Sequence, residues 1–98
     1  MRSPPSPLPY KVREYQGAIE DLTKGIELSP QLANTYNPVL AKAYYRRGVY
    51  FHKSEEYQKA TEDYENAIRI EPNTSLAKVC ADLLVFASNC LPLNTGIR

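Results

Sequence analysis

Thirteen residues, Ala41 to Lys53, hold four cations, Lys42, Arg46, Arg47 and Lys53, and no acid. Lys42 and Arg46 stand four apart, so on a helix they point the same way, and each can donate charge-assisted hydrogen bonds to a carboxylate. Residues 54–65 then invert the charge, with Glu55, Glu56, Glu62, Asp63 and Glu65 against Lys59. The same basic residues would also serve as the solvated outside of a helix, and the acidic ones read as another such face, since a hard-cation site needs a loop with several convergent oxygens. His52, the single histidine, has no acid or cysteine at ligand spacing, and the chain has no glycine-rich phosphate loop or nucleophile motif. His52 is therefore expected to be a solvated helix residue, and neither catalysis, a metal nor a cofactor is expected. A formal net charge of +1 gives no global attraction for nucleic acid or an anionic membrane, so neither is an expected partner.

The elements that must position these residues are read from an internal repeat. A shift of 42 residues aligns EYQGAIEDLTKGIELSP, residues 14–30, with EYQKATEDYENAIRIEP, residues 56–72, at eight identities in seventeen. Tyr15, Ala18, Leu22 and Ile26 recur as Tyr57, Ala60, Tyr64 and Ile68 at spacings of three and four, which predicts two helices with one apolar stripe each. Each is expected to stop at a proline, Pro30 or Pro72. Asn37-Pro38 reads as an N-cap and first-turn proline opening a further helix to about Lys53, with Ala41, Tyr44, Gly48 and Phe51 on one face and Lys42, Arg46, Val49 and Lys53 opposite. The short link Ser54-Glu55-Glu56 predicts an antiparallel hairpin between this helix and the next. Beyond Pro72, Asn73 or Thr74 can cap a helix whose stripe is Leu76, Val79, Cys80, Leu83 and Leu84, ending near Ala87. No segment alternates with strand period. The fold expected is all-α, about four helices in antiparallel hairpins.

Within this frame Ala41 to Thr74 resembles a tetratricopeptide repeat, a 34-residue helix pair with aromatic, small and proline residues at set places. The residues that carry the likeness are Tyr44, Arg47-Gly48, Phe51, Ala60, Tyr64 and Pro72. Gly48 and Ala60 are expected to let the two helices approach closely. The usual turn glycine is replaced by Glu55, a cost of about 1 kcal/mol if the backbone there is left-handed. Residues 12–30 correspond to the second helix of a preceding repeat whose first helix would fall on the proline-rich stretch, which cannot form one. The 42-residue shift is eight longer than the family's repeat. The stripe of Tyr15, Leu22 and Ile26 is thus expected to lack several kcal/mol of burial.

The resemblance implies a function. In such arrays the first helices line a concave face that meets a peptide, and Lys42, Tyr45, Arg46, Val49 and Lys53 hold the matching places here. The string Lys-Ala-Tyr-Tyr-Arg-Arg further resembles the co-chaperone and immunophilin subgroup, in which a Lys and an Arg at these sites clamp the carboxylates of an acidic chaperone tail. The expectation is a non-catalytic interaction module for a protein or peptide, with self-assembly of an incomplete solenoid, completed by a second copy or a partner, as the alternative. The boundaries are a proline-rich disordered leader at 1–11, a helical domain at 12–88 (half repeat 12–30, full repeat 41–74, capping helix 75–88) and a flexible tail at 89–98. The leader's Pro4-x-x-Pro7 and its Ser-Pro pairs are weak candidates for proline recognition and phosphorylation. Two cysteines ten residues apart read as reduced thiols, and no signal peptide or bilayer-spanning run is visible, so a soluble cytoplasmic protein is expected.

Overall fold

The computed structural model describes residues 10–90. It is all-α: α1 (Tyr10–Leu28), a short 3-10 turn (Pro30–Leu32), α2 (Ala33–Lys53), α3 (Tyr57–Ile70) and α4 (Ser75–Cys90). Each helix packs on the next, and α2 also touches α4. That nearest-neighbour pattern is the hairpin stack expected of a helical repeat. The Pro-x-x-Pro and Ser-Pro motifs of the leader and most of the tail lie outside the described residues. α1 takes in Tyr10 and Lys11, assigned to the leader from sequence, and α4 takes in Asn89 and Cys90, assigned to the tail. No described helix is long and apolar enough to cross a membrane.

The start of α2 differs from expectation. Asn37 is not a cap: α2 begins at Ala33 and Pro38 lies inside it. Pro30 both follows the end of α1 and opens the 3-10 turn, where the Leu32 amide donates to the Ser29 carbonyl at 2.8 Å. The eight residues in excess of the family's repeat, 33–40, are thus helical and lengthen α2 by about two turns. Packing explains why a helix continues through a proline that costs about 3 kcal/mol in a helix interior. Leu40 is buried with Ala43 and Ile19, and the Tyr36 ring lies against Gly25 of α1, where a Cβ would stand 3.0 Å from it.

The other termini behave as the sequence indicates. α1 and α3 end two residues before Pro30 and Pro72. Ser54, Glu55 and Glu56 form the turn between α2 and α3, with Glu55 at φ 65° in the left-handed region where glycine is favoured. Thr74, not Asn73, caps α4: its Oγ1 accepts from the Ala77 amide at 3.1 Å and donates to the Glu71 carbonyl at 3.0 Å.

The core sits where α2, α3 and α4 meet. Ala41, Phe51, Ala60, Tyr64, Ala67 and Cys80 are buried there, joined by Val12 of α1. Gly48 permits the close approach of α2 and α3: a Cβ there would stand 2.7 Å from the Tyr64 ring and 3.2 Å from the Asp63 Cβ. The stripe of α1 is less open than the sequence implies. Val12 and Ile19 are buried against α2, and Tyr15, Leu22 and Ile26 are half-buried beside them. On α4 the stripe is shifted: Ala77, Cys80 and Ala87 are buried, Leu83 and Leu84 half-buried, and Val79 is 43% exposed. Cys80 and Cys90 are free thiols, one buried and one exposed.

Candidate functional site

The four cations of 41–53 separate by face once α2 is placed. Arg47 is withdrawn from the surface. Its Nε donates to Asp63 Oδ2 at 2.9 Å and its Nη2 to Asp63 Oδ1 at 2.7 Å, a bidentate pair across the α2–α3 hairpin. Its guanidinium also lies over the Tyr44 and Phe51 rings, at 5.6 and 5.8 Å from their centroids. Asp63 is only 2% exposed, which corrects the reading of Glu62, Asp63 and Glu65 as one solvated face. Its two neighbours there, Glu62 and Glu65, are exposed. Hydrogen bonding to Asp63 holds the Arg47 guanidinium above its ordinary value, while burial pushes the Asp63 carboxyl up and Arg47 pulls it back. The signal for Asp63 was present in the sequence, three residues after Ala60 and four before Ala67, on the stripe those small residues define.

Lys42, Arg46 and Lys53 are exposed, and none is within salt-bridge distance of an acid among the described residues. Tyr45, Arg46, Val49 and Lys53 come together around a hollow of about 240 Å³, which Tyr15 of α1 and Tyr50 complete. Three phenol rings and two cations therefore surround one space. Lys42 is not in it. It lines a separate hollow with Pro38, Glu71, Thr74 and Leu76. Val49 is half-buried and packs against the core, so it serves both surfaces. Tyr15 and Tyr50 were missed from sequence. Tyr50 stands four residues after Arg46, a spacing that shows it; Tyr15 comes from another helix, 6.1 Å ring to ring from Tyr50, which no local spacing reveals.

Val49 and Lys53 also border a third hollow, shared with His52, Tyr64, Leu83 and Phe86. Val49 and Lys53 thus stand between a hollow that reaches Tyr15 of α1 and one that reaches Phe86 of α4. His52 is not a solvated residue. It is half-buried, its Nδ1 is 3.3 Å from the Tyr64 hydroxyl, and its ring lies 5.3 Å from that of Phe86 and 5.4 Å from that of Tyr57. Among the described residues no three His, Cys, Asp or Glu side chains are grouped to hold a metal ion.

Comparison with known proteins agrees with this architecture. The tetratricopeptide repeat family matches residues 41–74, which are the latter part of α2, its turn, α3 and the α4 cap. The chain is 34% identical over 73 residues to dynein axonemal assembly factor 4 of Pongo pygmaeus, covering 74% of this chain and 17% of that protein. It is 36% identical over 69 residues to the protein of the same name in Rattus norvegicus, covering 69% of this chain and 16% of that one. The chain therefore spans about a sixth of the length of the curated relatives it matches. No solved structure matches it significantly. Helix order, the Gly48–Tyr64 approach and the family match coincide on one hairpin, and residues 41–74 are a tetratricopeptide repeat.

Proposed function

We propose that the chain is a non-catalytic protein-interaction module that takes an acidic peptide, of the kind found at a chaperone C-terminus, on the groove face of α2. The observation that carries this reading is the hollow of Tyr45, Arg46, Val49 and Lys53, closed by Tyr15 and Tyr50. Two cations without an acidic partner among the described residues line the same hollow as phenol rings that can pack against a peptide's apolar parts. Lys42, on the separate hollow it shares with Glu71, adds a cation toward the start of α2. Arg47 is no part of it, because Asp63 holds its Nε/Nη2 edge across the α2–α3 hairpin, away from that hollow. The relatives are named for a role in assembling axonemal dynein, and a module that holds other proteins suits such a role.

The test is a fluorescence titration with an acidic octapeptide bearing a free C-terminus. Arg46→Ala combined with Lys53→Ala is expected to weaken binding at least tenfold, Lys42→Ala less, and amidation of the peptide terminus is expected to weaken it as well. Equal affinity for the double variant and the unaltered chain rejects the reading.

A further inference from the structure

Cations that line the other hollows of the molecule have acids beside them. Lys42 shares its hollow with Glu71, and Arg47 and Lys59 share theirs with Glu62 and Asp63. The hollow of Tyr15, Tyr45, Arg46, Val49, Tyr50 and Lys53 differs, because it holds two full positive charges and no acid. Its other polar groups are three phenol hydroxyls. Among the described residues neither cation is within salt-bridge distance of a carboxylate. Nor is any of the five groups hydrogen-bonded to another part of the described chain. Five side chains that can all donate therefore line one space with no acceptor of their own. The half-buried rings of Tyr15 and Tyr50, 6.1 Å apart, stand beside the cations, and a charge in such a setting is screened less than one on an open surface.

A single carboxylate matches this lining poorly. It brings one negative charge against two positive ones, and two oxygens against five donors. A phosphomonoester brings a charge of about −1.5 to −2 at pH 7 and three strong acceptor oxygens on one centre. Two neighbouring carboxylates carry the same charge, but on two flexible side chains that must both be ordered on binding. We infer that the hollow between Tyr15 of α1 and the groove face of α2 receives a phosphorylated side chain of a peptide partner. Arg46 supplies a planar fork suited to two phosphate oxygens, Lys53 a compact point charge, and the phenol hydroxyls further donors. This rests on the reading of the groove as a peptide site and adds to it that the peptide is recognised in its phosphorylated state.

The experiment titrates the whole chain with four labelled forms of one acidic octapeptide, bearing at the same central place serine, phosphoserine, glutamate or a pair of glutamates. Phosphoserine is expected to bind about tenfold more tightly than serine and about fivefold more tightly than either glutamate form. Arg46→Gln combined with Lys53→Gln is expected to abolish that preference, and both residues are exposed, so the fold is left intact. Lys42→Ala, in its own hollow, is expected to leave the preference unchanged. Equal binding of the phosphoserine and glutamate-pair peptides, both lost in the double variant, leaves the groove reading standing and overturns the phosphate assignment. A phosphoserine preference that survives in the double variant overturns it too. Inorganic phosphate competing at the concentration of the phosphopeptide itself overturns the assignment to a peptide, whereas competition only at large excess supports it. If none of the four forms binds, both readings fall together.

Discussion

At Asp63 a carboxylate with 3% of its side chain exposed is matched by an arginine with 19%, and the geometry is bidentate. Removing the acid leaves the guanidinium between Tyr44 and Phe51 with its charge unanswered. Asp63→Asn is expected to cost about 3 kcal/mol, the lower end of the range for a buried pair because Arg47 keeps some access to water. Urea denaturation followed by circular dichroism measures it, and the loss should appear as a lower midpoint at unchanged slope. The pair also explains how far single residues could be read from sequence. KAYYRRG looks like one basic and aromatic patch, and its division by face follows from helical spacing alone. That Arg47 is consumed by an acid sixteen residues away depends on how the hairpin closes. Likewise Lys42 and Arg46 share a spacing of four, yet they border different hollows, one completed by Tyr15 of α1 and the other by Glu71, Thr74 and Leu76 before and at the start of α4.

The elements were legible in kind and less so in extent. Period and proline placement identify four helices, the α2–α3 turn and the cap near Thr74, since each depends on a local rule. The start of α2 was misread because Asn37-Pro38 satisfies the local rule for a helix opening, whereas Leu40 and Tyr36 satisfy a longer-range one by packing on α1. The two rules compete within α2, and the tertiary one prevails at the expense of a backbone hydrogen bond. Pro38 is exposed and inside the helix, so Pro38→Ala is expected to restore the amide donor toward the Asn34 carbonyl. The expected gain is about 2 kcal/mol, within the interior proline penalty of about 3 kcal/mol. Thermal denaturation checks it: the variant should melt higher, and an unchanged midpoint would show that the local backbone has already relaxed around the proline.

For the molecule as a whole, the meeting of α2, α3 and α4 governs stability, and its two titratable members set an alkaline limit. Burial pushes the Cys80 thiol up to about 11 from 9.0 and is the main cause that pushes the Tyr64 phenol up to about 12 from 10.0. The unfolded chain therefore releases these protons first as pH rises, binds fewer than the folded one, and is favoured. The stability these groups contribute is whole below about pH 9 and is lost progressively as pH passes through 11 and 12. Melting temperatures at pH 8, 10 and 11 should fall in that order, and Cys80→Ala should make the decline between pH 9 and 11 shallower. Thiol reagents should label Cys90 in the native chain well before Cys80.

Because α1 packs on α2 alone among the helices, detaching it exposes Ile19, Leu40 and Ala43 while leaving Gly48 against Tyr64 and Arg47 on Asp63. Resistance to opening is therefore graded along the chain. Backbone amides in α1 and the first two turns of α2 can exchange with solvent through a local detachment, whereas those around Gly48 and Tyr64 must wait for the whole hairpin to come apart.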